Sequence, residues 1–323
     1  MSFATSSKSS WRLDKPSEAK PSKAMKEPMR AALIYNPRSG RGHVKDDLLS
    51  QVLTRLKDAG MEVSPRPTER MGHATHIARE VAEAGFEMAI AWGGDGTLNE
   101  VACGLLDSPT AMGVLPGGTV NVFAREVGIP LKLSGALDTL VGGRMVRIPM
   151  GFAGERPFLL MVGVGLDGEV VYRLKSGFKD ALGAFAFWLD GFRLLASYPM
   201  HPLRVRVGER EIVGTGLIAG NISRYGRRYY VTPEAKLEEP KLDVVVFTGK
   251  NRRDYLRYLL GILGHCHLRF SDIEHFKTDA LSVSVEEGAR VPLQLDGEPS
   301  GCAPVEIRVK DKALAVVLPA HEE

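Results

Sequence analysis

The sequence predicts an α/β domain, a parallel sheet with helices on both faces, followed by a second, mostly antiparallel β domain. Three observations predict it. Between residues 31 and 127, strand-like and helix-like segments alternate as four β-then-α units, the pattern of a parallel sheet covered by its own crossovers. After about residue 145, short β-like runs dominate, as in sandwiches and barrels. The length of 323 residues matches about two domains at roughly 150 residues each.

Residues 1–28 are rich in Ser, Lys and Pro and lack an apolar core; they read as a disordered basic leader, not a secretory signal. Ala31–Tyr35 is a short apolar run ended by Asn-Pro, a strand and its turn. Val44–Ala59 has helical periodicity and stops at Gly60. Glu62–Arg66 is a second strand, and Ala74–Ala84 a helix closed by Gly85. Glu87–Trp92 is an apolar strand running into Gly93-Gly94, followed by a helix at Leu98–Leu106. Ala111–Leu115 is a strand into Pro116-Gly117-Gly118, and Val120–Val127 a helix ended by Gly128. The α/β domain is placed at 29–147 and the β domain at 148–323, with the C-terminal tail free to return to the first. The β domain's strands are expected at Phe158–Val164, Leu203–Val207, Ile212–Ala219, Leu242–Phe247, Ala280–Val285, Val305–Lys310 and Ala313–Leu318. Helical inserts are expected at Gly177–Ser197 and Arg253–Leu263.

Composition narrows the function. Cys103, Cys266 and Cys302 form no C-x-x-C pair, which excludes a disulfide framework and fits a reducing compartment. His265-Cys266-His267 resembles a metal cluster by residue type, yet no second ligand group stands at zinc spacing. A net charge of +3 is too small to imply a nucleic-acid partner. The basic residues do concentrate, however: Arg204, Arg206, Arg210, Arg224, Arg227 and Arg228 lie between His201 and Tyr230, interleaved with tyrosines at the end. A solvated face and a surface for anionic headgroups both fit. No apolar run reaches 18 residues, since Ala181–Ala196 is interrupted by Asp190 and Arg193, so no membrane span is expected.

Glycine is the informative excess. Of 35 glycines, 17 lie between Gly85 and Gly168, and such clustering suits tight turns or close backbone approach to a ligand. Gly93-Gly94-Asp95-Gly96-Thr97-Leu98-Asn99-Glu100 ends an apolar strand and presents backbone N–H groups at the mouth of a helix, a ready anion site. Asp95 inside that loop makes sense if it holds a phosphate-bound Mg²⁺ or orients a nucleophilic hydroxyl. Asn36-Pro37-Arg38-Ser39-Gly40 and Leu115-Pro116-Gly117-Gly118-Thr119-Val120-Asn121 are two further strand-to-helix turns. Together the three form a nucleotide site at one sheet edge. No G-x-x-x-x-G-K-[ST] occurs, so this is not a P-loop enzyme.

These three motifs resemble the diacylglycerol kinase catalytic family, which includes soluble bacterial lipid kinases and the sphingosine and ceramide kinases. The resemblance runs from residue 29 to the end. It implies a phosphofructokinase- and NAD-kinase-like α/β domain followed by a β-sandwich, with ATP, Mg²⁺ and a lipid alcohol bound in the cleft between them. The implied nucleotide-binding residues are Asn36, Pro37, Ser39, Gly40, Thr68, Gly93, Gly94, Gly96, Thr97, Gly117, Gly118, Thr119 and Asn121. Asp167, in Gly163-Val-Gly-Leu-Asp167-Gly-Glu, resembles the aspartate that lines the lipid headgroup pocket. Asp296-Gly297-Glu298 resembles the carboxylate turn that faces the γ-phosphate. Asp95 and Glu298 both qualify as the base that takes the hydroxyl proton.

One stretch departs from the family pattern. Where many bacterial members place two aspartates and a glycine of a structural magnesium network, this chain has Glu238, Glu239 and Pro240. Glutamate is longer and proline fixes φ, so the same metal geometry is not expected here. The resemblance further implies a cytoplasmic enzyme attached peripherally to a membrane and leaves a homodimer open. It gives Ala181–Ala196 a second reading, as an acyl-chain cleft or membrane face, beside plain core packing. Three other functions stay open: an NAD kinase, which shares the Gly-Gly-Asp-Gly-Thr turn; a catalytically inactive nucleotide-binding protein; and an NAD(P)-dependent oxidoreductase through Gly163-x-Gly165-x-x-Gly168.

Overall fold

The apolar runs of the first half fold as four parallel strands: β1 (Met29–Tyr35), β2 (Met61–Pro67), β3 (Met88–Gly93) and β4 (Ala111–Pro116). Their spatial order is β2-β1-β3-β4. The structure, a computed structural model, describes residues 28–37, 46–176 and 198–320; Ser39, Gly40 and the expected helical insert at Gly177–Ser197 lie outside them. Five helices accompany the strands: α1 (Asp46–Asp58), α2 (His73–Glu83), α3 (Asp95–Gly104), α4 (Val122–Glu126) and α5 (Leu133–Gly142). α1 packs beside α5, and α2 beside α3. The chain reverses direction across the sheet after β2, so right-handed crossovers place these two pairs on opposite faces. β1 and β3 therefore flank a switch point, where ligands of open α/β sheets bind at the strands' carboxyl ends.

The second half forms a sandwich. Its elements are β5 (Arg144–Ala153), β6 (Arg156–Phe158), β7 (Met161–Val164), α6 (Leu166–Ser176), β8 (Leu203–Val207), β9 (Arg210–Gly214), β10 (Gly216–Gly220), the small hairpin β11 (Arg224–Tyr225) and β12 (Tyr229–Tyr230), and β13 (Leu242–Phe247). α7 (Arg252–Leu263), β14 (Ile273–Thr278), β15 (Ala280–Val285), β16 (Pro292–Leu295), β17 (Glu298–Cys302) and β18 (Val305–Leu318) complete it. One antiparallel sheet runs β14-β13-β10-β7-β16-β17. The other continues the parallel sheet through β18 to β15, β8 and β9. Phe158, Leu217, Val244, Val246, Leu293 and Ile307 belong to the buried core of the sandwich.

β18 joins the two halves. Its Val316 pairs in parallel with Met112 of β4, while Val305–Arg308 pairs with β15. β5 runs antiparallel along it, from Ile307↔Ala153 to Leu318↔Arg144. The sequence suggests two strands here. The β5 ladder carries them as one, with an irregularity between Lys310 and Leu314 where Lys312 takes φ 50°. Two other expected strands split instead. Phe158–Val164 breaks at Leu159–Leu160, whose N–H groups turn to Asp296. Ile212–Ala219 divides at Thr215 into β9 and β10, which belong to different sheets. The helix expected at Leu98 begins at Asp95.

Leu314 on β18 is fully buried. Leu314→Ala should lower stability by about 2–5 kcal/mol, and chemical denaturation should show one transition for both halves. Separate transitions for the two halves would show that β18 does not couple them.

Candidate active site

Four turns line the carboxyl edge of the parallel strands, and backbone hydrogen bonds join them. Thr68 N–H donates to Tyr35 O at 2.8 Å, Asn36 N–H to Trp92 O at 3.3 Å, and Gly117 N–H to Gly93 O at 2.8 Å. Thr68, Asn36, Pro37, Gly93–Thr97 and Gly117–Asn121 therefore form one continuous edge. The glycines are required by contact between backbones. A Cβ on Gly118 would lie 2.6 Å from Gly94 Cα, and one on Gly117 would lie 3.2 Å from Gly93 Cα. Asn121, at φ 52°, shapes this turn: its Oδ1 accepts from Gly118 N–H at 2.8 Å and its Nδ2 donates to Gly118 O at 2.9 Å.

Asp95 is the first residue of α3, and its Oδ1 accepts from Phe123 N–H at 3.1 Å, at the start of α4. Burial pushes its carboxyl above the usual range, against backbone N–H donors around Asn121–Phe123 that favour the charge. α3 starts at this edge, and a helix N-terminus leaves N–H groups without intrahelical partners, as an anion site requires. Glu100, further along the motif, has a structural task. Its two oxygens accept from Gly72 N–H (2.8 Å) and Ala74 N–H (3.1 Å) at the start of α2.

The sandwich supplies the facing wall. Asp296 and Gly297 form the two-residue turn between β16 and β17, both with positive φ (51° and 80°), as two-residue type I′ hairpins require. Asp296 Oδ2 accepts from Leu159 N–H at 2.7 Å, and Oδ1 from Leu160 and Met161 N–H at 2.8 and 2.9 Å. Burial outweighs these donors, and with the negative charge of Asp95 nearby its pKa rises to about 6. The turn delivers Glu298 to the nucleotide edge: a Cβ on Gly96 would lie 4.0 Å from Glu298 Oε1.

Asp167 is half-buried at the start of α6, in space left by Gly163, where any Cβ would overlap its carboxylate. Its Oδ1 accepts from Tyr225 O–H and its Oδ2 from Gln294 Nε2 at 2.9 Å. Burial raises its pKa, and the adjoining carboxylate together with burial raises that of Tyr225. Around this pair lies an apolar pocket whose lining includes Val164, Leu166, Phe247, Tyr255, Leu259 and Ile262. Gln294 links pocket and turn, because its Oε1 accepts from Gly297 N–H at 2.7 Å. Asp167, Gln294 and Glu298 are thus joined through one amide and one turn. Sequence reasoning missed Gln294; the signal was a polar residue between Leu293 and Leu295 in a buried strand.

Other sequence candidates take structural places. Gly163-x-Gly165-x-x-Gly168 begins inside β7, whose neighbours β10 and β16 are both antiparallel, so no βαβ unit exists there. Gly168 is needed because a Cβ would collide with Pro292 O. Glu238 pairs with Arg144 and Glu239 with Lys277, each at 2.7 Å, while Asp243 accepts from Glu234 N–H and meets His275 Nε2 at 2.6 Å. Arg144 and Lys277 already pair with the two glutamates, and proline stands at 240, so these residues do not fit a structural magnesium. His267 Nε2 meets Val231 O at 2.9 Å, and no His/Cys/Asp/Glu group among the described residues could hold a metal alone. Arg224 is taken up by Glu126 at 3.4 Å and lies over the Tyr230 ring, so it is not a docking cation.

A glycine-rich turn edge on one domain faces the Glu298 hairpin on the other, beside a half-buried carboxylate in an apolar pocket, an arrangement that suits a two-domain kinase acting on a lipid. The diacylglycerol kinase catalytic domain matches residues 30–153, and the YegS C-terminal NAD kinase beta sandwich-like domain matches residues 160–318. The diacylglycerol kinase of Bacillus subtilis (strain 168) is 35% identical over 305 residues, covering 91% of this chain and 97% of that one. The diacylglycerol kinase of Staphylococcus saprophyticus is 32% identical over 285 residues, covering 85% and 90%. A crystal structure of a diacylglycerol kinase from Bacillus anthracis superposes with a TM-score of 0.71 at 24% identity, covering 91% of this chain and 98% of that one. The chain belongs to the diacylglycerol kinase catalytic family and is a lipid kinase.

Gln294→Leu removes two buried hydrogen bonds and should cost about 1–3 kcal/mol, read as a shift of the urea midpoint. Asp296 gives a pH signature. Its native pKa of about 6 exceeds the ordinary 3.8, so the native state holds a proton that the unfolded chain releases. Its contribution to stability is full below about 4 and is lost as pH rises through about 6. Asp296→Asn should flatten that fall in thermal melts across this window; an unchanged slope would assign it to other groups.

Proposed function

We propose that this enzyme transfers the γ-phosphoryl group of ATP, presented with Mg²⁺, to the primary hydroxyl of a diacylglycerol-like lipid. The observation that carries this reading is Glu298 facing the Asp95-Gly96 turn while Gln294 ties its hairpin to Asp167. One end of that linkage meets phosphate, and the other meets a polar group inside an apolar pocket. The names of the curated relatives support diacylglycerol as the acceptor.

The nucleotide edge orients the phosphates through backbone N–H groups at the start of α3. Magnesium would neutralise charge on the phosphate oxygens. It needs few protein oxygens when phosphates supply the others, and Asp95, a hard carboxylate at the mouth of the turn, fits that demand. The lipid's chains enter the apolar pocket, and Asp167 accepts a hydrogen bond from the headgroup. Glu298 takes the proton of the attacking hydroxyl as the new P–O bond forms and ADP leaves. Most of the remaining acceleration is in-line positioning between two fixed walls.

Labelled ATP with a panel of diacylglycerol, sphingoid base, ceramide and phosphatidylglycerol in detergent micelles tests the assignment. Diacylglycerol should be the best acceptor, and turnover should require Mg²⁺. Asp95→Asn should reduce kcat by roughly a thousandfold or more and Glu298→Gln by about 10²–10⁴, with the fold intact by circular dichroism. Near-wild-type turnover in Asp95→Asn would refute its role, and phosphorylation of NAD without lipid would refute the substrate class.

A further inference from the structure

Helix α7 carries two apolar faces, only one of which the fold uses. Its inner face places Tyr255, Tyr258 and Ile262 against the lipid pocket. Its outer face presents Leu256, Leu260 and Leu263, which are 41%, 57% and 39% exposed. Leu259 is half-buried and lines the pocket. Residues 256, 259, 260 and 263 follow i, i+3, i+4, i+7 spacing, one helical stripe. Apolar surface is therefore continuous from the pocket wall, over Leu259, to the outside of the molecule.

The N-terminal end of this stripe is basic. A capping box starts the helix: Asn251 Oδ1 accepts from Arg253 and Asp254 N–H at 3.0 and 3.2 Å, and Asp254 Oδ2 accepts from Asn251 N–H at 3.2 Å. Lys250, Arg252 and Arg253 line a shallow hollow with Tyr198, Pro199, Met200 and Asn251. None of these three cations pairs with a carboxylate among the described residues, whereas Arg257, on the far flank, is held by Asp272. Exposed leucines beside unpaired cations are the composition of a helix that lies in a membrane interface. A second copy of this face would set like charges against each other.

Building on the lipid kinase reading, we propose that α7 is the membrane-contact element. Leu256, Leu260 and Leu263 enter the acyl region, and Lys250, Arg252 and Arg253 bind anionic phospholipid headgroups. This contact places the pocket mouth at the bilayer, so that the substrate passes along Leu259 without crossing water.

Sedimentation of the full-length protein with vesicles, in the absence of nucleotide, tests the surface. With vesicles of phosphatidylglycerol and phosphatidylcholine, Leu256→Ser/Leu260→Ser/Leu263→Ser should weaken binding roughly tenfold or more. Lys250→Gln/Arg252→Gln/Arg253→Gln should remove the preference for phosphatidylglycerol over pure phosphatidylcholine. Turnover of a short-chain diacylglycerol below its micelle concentration should be unchanged in the leucine variant, while turnover of vesicle-borne diacylglycerol should fall in step with binding. Should the triple variant misfold, Leu260→Trp replaces it: vesicles containing brominated lipid should quench its fluorescence more than that of the unsubstituted protein. Wild-type sedimentation of the leucine variant, or no added quenching at position 260, would overturn the proposal. So would a wild-type dimer that the leucine substitutions dissociate. Absence of short-chain turnover in the unsubstituted protein would instead count against the kinase reading and leave the vesicle result interpretable.

Discussion

The ladder between β5 and β18 is the constraint on which the rest of the molecule rests. β18 is parallel to β4 at one end and antiparallel to β15 at the other, with β5 beside it along most of its length. A strand that carries one continuous sheet from the α/β domain into the sandwich cannot pivot without breaking main-chain hydrogen bonds, and buried ones are costly to leave unpaired. The glycine-turn edge and the sandwich hairpin therefore face each other at a separation set by backbone geometry. Catalysis that depends on positioning needs that stiffness.

Within this frame the site is organised by carboxylates with different tasks. Asp296 holds three consecutive N–H groups and fixes the hairpin. Asp95 caps α4 at the nucleotide edge. Asp167 lies in apolar surroundings, satisfied by a phenol and an amide. Glu298 is delivered to the cleft by the turn that Asp296 secures. Cys103, close by, has its thiol raised to about 12 by burial and by the charges of Asp296 and Glu100, which disfavours the thiolate.

Sequence reading recovered the parallel strands and their glycine turns because both are local: an apolar run, then residues that permit backbone contact. Motifs singled out Asp95 and Glu298, and the structure brings the Glu298 hairpin up to the Asp95-Gly96 turn. It lost elements whose signals are non-local. β16 and β17 contain Pro292, Pro299 and Gly301 and do not alternate like strands, yet β7 holds β16 in register. Gln294 and Tyr225 acquire their roles only when distant strands meet. Arg224 looked like a surface cation because its partner Glu126 lies 98 residues away. The sequence marks Arg253–Leu263 only as a helix, since periodicity alone does not say which stripe of a helix the protein covers.

The five-residue helix α4 has a mechanical consequence. Asp95 receives the N–H of Phe123 near its first turn, and Glu126 at its far end holds Ser223 and Arg224. The next residue, Tyr225, donates to Asp167. At 1.5 Å per residue α4 is a rod only about 7.5 Å long, with Asp95 fastened to one end and Asp167, through one tyrosine, to the other. α4 thus works as a gauge block beside the β18 joint, fixing how far Asp95 stands from the Tyr225–Asp167 pair.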